Sequence, residues 1–228
     1  MTVSFDSTTA EELDDVLVDW VSALSDHGHR SVFVCGPSPI EDDGRRELLA
    51  CKASTSFEHL HAATQAFVGS SAYVGWNGPL VAWHSLDRST PTAQNERWRD
   101  LLREDGLRGL VRVAFELPGA KAFEIFTATT HELRNRADAM PIAWASMASW
   151  PDARRLISAR RCTDLKLNAN EVRCLKLIME GHSAKTIAEA MATSERTANY
   201  FVGSLSDKLR TKGRNALPIR GAWLGLLD

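Results

Sequence analysis

The stretch that most limits what this chain can become is "LNANEVRCLKLIMEGHSAKTIAEAMATSERTANYFVGSLSDKL", residues 167–209, where helix starts and stops follow one another at short intervals. Asn168, with Glu171 three residues on, has the form of a capping box, and Val172, Leu175, Ile178 and Met179 follow as one apolar stripe. Gly181 stops that helix. Ser183 is placed to cap a second, which turns Ile187, Ala188 and Met191 inward, and after a turn at Ala192 and Thr193 Ser194 is placed to cap a third. The inward face of the third is Ala198, Phe201, Val202, Leu205 and Leu209. Helices this short are marginal alone in water, so the three must pack on one another as a small domain.

Once the inward faces are assigned, Glu195, Arg196, Thr197, Asn199 and Tyr200 are left on the outer side of the third helix near its start. Side chains able to donate or accept at the N-terminal end of such a helix suit base edges in a major groove, while cations around it suit phosphates. Ser194, Arg196, Thr197, Asn199 and Tyr200 are therefore the candidate reading set, with Lys185 and Lys208 as phosphate contacts. Charge supports a polyanionic partner for this end of the chain. Of 27 Lys+Arg and 29 Asp+Glu, residues 151–228 hold 14 and 8, leaving 13 and 21 for residues 1–150.

Residues 167–227 resemble the DNA-binding domain of LuxR-type transcription regulators, through Leu167, Glu171, Val172, Leu175, Gly181, Ser183, Ile187, Ala188, Ser194, Thr197, Lys208, Leu209, Arg214 and Ala216. The resemblance implies a four-helix, helix-turn-helix domain that binds double-stranded DNA, with the fourth helix as a dimer contact. The chain departs from the pattern in three places. Ala198 and Phe201 replace a usual Val and a frequent His. Arg210 stands where Gly commonly ends the reading helix, at a cost if positive φ is needed there. Pro218 falls in the expected fourth helix, so that helix either starts late, with Pro218 in its first turn, or kinks.

Before residue 150 the signals are those of a mixed domain. "AEELDDVLVDWVSALSDHG" carries Leu13, Val16, Leu17, Trp20, Val21 and Leu24 at helical spacing and stops at Gly28; "RSVFVCG" reads as a strand. Residues 57–68 and the segment from Pro91 to Gly106 read as helices, with a strand or irregular chain between them around Trp83. Two alternating runs flank Pro118-Gly119, a hairpin signal, and residues 135–150 have Met140, Ala143, Trp144 and Met147 in helical register. The expected class is α+β: residues 1–150 as an α-β-α sandwich with an antiparallel sheet, residues 151–166 as a linker, and residues 167–228 as the all-α domain. In the linker, whose start can also continue the preceding helix, Arg154, Arg155, Arg160 and Arg161 read either as a solvated connector or as phosphate contacts.

The order of elements before residue 150, with "DGLRGLVRVAFELPGAKAFEIFTA", is similar to the autoinducer-binding domain of quorum-sensing regulators. That resemblance implies a sensory and dimerisation domain holding an acyl-homoserine lactone through a spaced Trp, Tyr, Asp-Pro and Trp set. The set is not found. "SAYVGWNGPLVAWHS" offers Tyr73, Trp76 and Trp83, to which Trp98 can be added, but Gly78 precedes Pro79 and no Asp is near. Without the carboxylate the ligand's amide forgoes a charge-assisted hydrogen bond, about 1.5–3 kcal/mol, which speaks against an ordinary lactone. The aromatics then line a pocket for another small molecule or are simply core.

Other classes find little support. No apolar run approaches the roughly 20 residues that span a bilayer, and "MTVSFDSTTAEELDD" is acidic where a secretory signal is basic, so a cytoplasmic protein is expected. Cys35, Cys51, Cys162 and Cys174 lack metal or redox spacing and read as free thiols; His59, His61 and His84 have no ligand spacing, so no metal or cofactor is expected. No nucleophile, base and orienter stand at suggestive spacing, so an enzyme is not expected. The expectation is a LuxR-type regulator acting as a homodimer on operator DNA, with a ligand-independent orphan regulator, or an antagonist that heterodimerises with a related activator, as the rivals.

Overall fold

The computed structural model describes residues 8–28, 30–41, 46–68, 80–87 and 97–226. Helix α1 (Thr8–Ser22) leads through a short 3-10 turn into β1 (Arg30–Pro37) and β2 (Arg46–Ala53); α2 (Leu60–Val68), β3 (Val81–Ser85), α3 (Arg97–Glu104), β4 (Gly109–Leu117) and β5 (Lys121–Thr129) follow. The strands form one sheet in the order β2-β1-β5-β4-β3, with every neighbouring pair antiparallel. The Pro118-Gly119 hairpin is present, with Leu117 opposite Lys121 and Gly119 at φ 80°.

Side-chain alternation sends the two sheet faces into separate cores. Val32, Val34, Val111, Val113 and Ile125 pack with Leu13, Leu17 and Trp20 of α1 and with the long helix that follows β5. Phe33, Leu110, Phe126 and Ala128 pack on the other side with Phe67 of α2 and Trp98 and Leu102 of α3. The result is the expected α-β-α sandwich. Strand β2 was not legible, because "RELLACKA" is apolar at both parities and charged at its ends. It is an edge strand, and its Arg46, Glu47 and Lys52 pair within the chain with Glu124, Arg161 and Asp14.

Helix α4 (Arg136–Asp164) is 29 residues long and begins at a capping box, in which Asn135 Oδ1 accepts from the Ala137 and Asp138 amides at 2.7 and 3.2 Å. The sequence reading placed a helix over residues 135–150 and a linker, open to helical continuation at its start, over 151–166; the chain is helical through Pro151 to Asp164. Proline in a helix interior costs about 3 kcal/mol through the lost donor and the clash. Here Pro141 and Pro151 are both exposed, while Trp150, Ala153, Leu156 and Ile157 keep the inner side of the rod packed.

Two of the four linker arginines have a different role from either that was expected. Arg161 is buried: it donates to Trp223 O at 2.6 Å and to Pro37 O, and meets Glu47 Oε2 at 3.0 Å. Arg160 donates to Leu49 O. A guanidinium has five donors in a fixed fork, and spending them on carbonyls and a carboxylate ties the rod to β1 and β2 instead of leaving the charge for phosphate.

Helices α5 (Ala169–Met179), α6 (Ala184–Ala190), α7 (Glu195–Lys208) and α8 (Leu217–Leu224) close a third core around Cys174, Leu175, Ile178, Ile187, Ala198, Leu205 and Leu209. Leu217 and Leu224 of α8 join this core, whereas its Ala222 and Trp223 lie in the core of the sheet. Trp223 Nε1–H donates to Pro118 O at 2.8 Å, and Arg220 stacks on its ring at 4.4 Å. Pro218 sits in the first turn of α8, where its missing N–H removes no helix bond. The four cysteines are free thiols, and among the described residues no helix is long and apolar enough to cross a membrane.

Candidate nucleic-acid interface

Each helix of the C-terminal unit starts where its cap stands. Asn168 Oδ1 accepts from the Glu171 amide at 2.9 Å while Glu171 Oε2 accepts from the Asn168 amide at 2.8 Å. Ser183 Oγ accepts from the Thr186 amide and Ser194 Oγ from that of Thr197, at 3.2 and 3.1 Å. Between α6 and α7 the chain turns through Ala192 at φ 51°, and Arg210 after α7 has the same φ, the strained position anticipated for a residue other than glycine. This turn fixes α7 against α6 and decides which side of α7 faces outward.

The outer row of α7 is Arg196, Asn199, Tyr200 and Gly203, spaced three and four apart. The first three are exposed, Tyr200 at 70%. Thr197 is half-buried, and its hydroxyl lies 2.9 Å from Ser194 Oγ, so these two residues serve the helix start. Lys185 is exposed on α6. Lys208 is differently occupied: its Nζ donates to both Glu171 carboxylate oxygens at 2.8 and 2.6 Å and to Lys166 O. Burial works to raise the Glu171 carboxyl, but hydrogen bonds from Lys208, Ser204 and the Asn168 amide outweigh it and hold the pKa below its usual value. Lys208 thus locks α7 to α5.

The sequence reading gave three residues no place at this surface. Gly203 lies on the outer row with nothing within 4 Å of where a Cβ would stand, so no packing inside the chain calls for glycine there. A glycine in mid-helix costs about 1 kcal/mol against alanine, and its usual justification is the close approach of another body. The signal was present in the spacing, seven residues after Arg196. Arg210 and Lys212, exposed in the turn after α7, extend the cationic edge.

In the N-terminal unit the two described aromatic candidates, Trp83 and Trp98, are not brought together. Trp98 is buried on the α2/α3 side, edge-on to Phe67 at 4.8 Å, whereas Trp83 packs toward α4 on the opposite face of the sheet. Tyr73 and Trp76 lie outside the described residues. Trp83 borders a cleft of about 240 Å³ with His84, Ser85, Arg99, Glu132 and Arg134. Buried on the α2/α3 face is a carboxylate that sequence reading missed: Glu124 Oε1 meets the Arg112 Nε and guanidinium NH2 at 2.8 and 2.6 Å, and its Oε2 meets Arg46 Nε at 2.8 Å. Burial pushes the Glu124 carboxyl up to about 7, with Arg46 pulling the other way. "FEIF" hid it, because a charged residue alternating with apolar ones reads as a solvent-facing position.

A capped helix, a tight turn and a second capped helix with a polar outer row define a helix-turn-helix unit. Residues 166–219 match the family model described as bacterial regulatory proteins, luxR family. No curated protein matches the chain. Among solved structures, Escherichia coli SdiA is similar at 16% identity, over 97% of this chain and 93% of that one, with a TM-score of 0.46. SdiA in complex with octanoyl-rac-glycerol gives 15%, 96%, 90% and 0.42. CepR2 of Burkholderia cenocepacia, described as an N-acylhomoserine lactone dependent LuxR family transcription factor, gives 14%, 66%, 97% and 0.41.

Proposed function

We propose that the protein is a transcription regulator that binds operator DNA as a pair of copies, with α7 of each in the major groove of one half-site. Arg196 and Asn199 read base edges, Tyr200 and the bare backbone at Gly203 allow close approach, and Lys185, Arg210 and Lys212 meet phosphates. Ser194 and Thr197 hold the helix start that faces the duplex, and Lys208 holds α7 in place. The observation that carries this reading is the exposed row Arg196, Asn199, Tyr200 and Gly203 on a helix fixed by a cap at one end and an ion pair at the other. The test is binding of the full chain to sites selected from random DNA. Arg196→Ala with Asn199→Ala should abolish preference for the selected site while salt-sensitive binding to any duplex persists. Equal loss of both kinds of binding would reject the assignment.

The N-terminal unit, residues 1–150, is read as the sensory part, controlling the pair through a small molecule held between the sheet and α2/α3. Support for a ligand there is the charged island Arg46, Glu124 and Arg112, since ionised groups buried in an apolar layer are costly and concentrate at functional sites. A lactone of the ordinary kind is not favoured. The ligand-independent regulator remains the second reading, and a shift in melting temperature with added compounds separates the two. The antagonist reading loses its motive, because Pro218 leaves α8 intact.

A further inference from the structure

Deepening the sensory reading above, we infer that the tip of the sheet beyond a bulge in β2, residues 35–37 with 46–48, couples the Arg46, Glu124 and Arg112 island to the C-terminal unit. The pairing of β1 with β2 slips by one residue: Val34 stands opposite Ala50 and Cys35 opposite Leu48, so Leu49 is the extra residue. Leu49 and Ala50 accordingly both enter the core shared with α1 and α4, where strict alternation admits one of them. A bulge bends its strand and re-aims the side chains beyond it. This one is held from outside the sheet, because Arg160 of α4 donates to the Leu49 carbonyl.

Past the bulge, two sequence neighbours reach opposite faces of the sheet. Arg46 is on the α2/α3 face, its Nε 2.8 Å from Glu124 Oε2; Glu47 is on the α4 face, its Oε2 3.0 Å from the Arg161 guanidinium. That guanidinium also donates to the carbonyl of Pro37, the residue opposite Arg46 in the ladder, and to Trp223 O of α8 at 2.6 Å. From α8, Arg220 donates to Glu41 O at 3.3 Å. The island thus grips the tip on one face while α4 and α8 grip it on the other, and a single peptide bond joins Arg46 to Glu47. There is little slack: a Cβ at Gly36 would stand 2.7 Å from the side chains of Leu49 and Phe123. A shift of Arg46 that follows a change in the island therefore carries Glu47 and Pro37 with it. Because a guanidinium is a rigid fork, losing its alignment to those two loosens its hold on Trp223 as well.

The test reads amide exchange of the full chain by mass spectrometry over α8, at times too short for global unfolding. Arg46→Met and Glu47→Gln should each speed exchange in α8 at least about threefold, and the two together no more than the faster single variant, the mark of one shared connection. Should Arg46→Met not fold, Arg46→Lys, which keeps the charge but not the fork, replaces it and should also speed α8. Leu110→Ala, in the α2/α3 core but on β4, controls for general loosening and should leave α8 at the parent rate. Parent-like exchange in the Arg46 variant or in Glu47→Gln, additive effects in the double variant, or an equal rise in Leu110→Ala would each overturn the inference. No small molecule enters the experiment, so its failure is separate from failure of the sensory reading, which the melting shift with added compounds tests.

Discussion

Gly203 and Glu171 show how single residues on α5 and α7 divide the work of this interface. Gly203 weakens its own helix and is contacted by nothing in the chain, so Gly203→Ala should raise the stability of the C-terminal unit by up to about 1 kcal/mol in chemical denaturation. If the bare backbone is there for a duplex, the same variant binds the selected site more weakly; unchanged affinity would leave the glycine without a role. Glu171 works inward. Its folded pKa is depressed, so it binds fewer protons folded than unfolded, and its contribution to stability is complete above the ordinary carboxylate value of 4.5 and is lost as pH falls through the lower folded value. Acid unfolding of the parent should therefore be steeper than that of Glu171→Gln, in which this slope is absent.

At the scale of elements, caps decide where helices begin, and they were the most legible part of the chain. Ser194→Ala should cost about 1 kcal/mol, seen as a lower denaturation midpoint, and should loosen the start of α7. Asn168, Ser183 and Ser194 announced α5, α6 and α7 because a short side chain that accepts a backbone N–H leaves a local signature. Strand β1 and the β4-β5 hairpin were legible for a similar reason, their pattern and turn residues lying close in sequence. Strand β2 and the far half of α4 were not. An edge strand has no clean alternation, and the arginine-rich residues 151–164 show little apolar patterning until the packing of Ala153, Leu156 and Ile157 is known. The same distance in sequence concealed Glu124 and Lys208, since neither Arg112 with Arg46 nor Glu171 is a sequence neighbour that would reveal an ion pair.

For the whole molecule, the contact that matters is Trp223. Its ring lies in the core of the sheet, its N–H bonds Pro118 O, and Arg161 holds its carbonyl, so the two units are stitched at a point far along the chain from the helix that joins them. Trp223→Ala should cost about 3–5 kcal/mol by opening a cavity and orphaning the Pro118 carbonyl. Calorimetry is expected to resolve two transitions in that variant where the parent melts as one; a single transition in both would mean the units are coupled elsewhere.

The 29-residue rod of α4 starts in the core of the sheet and delivers Cys162 to the core of the C-terminal unit. A spindle shared in this way carries side chains of both units, so a displacement at its base is felt in both cores. Leu156 and Ile157 on the sheet side and Cys162 on the other stand within two turns of one another, so the packing of either core constrains the placement of the other.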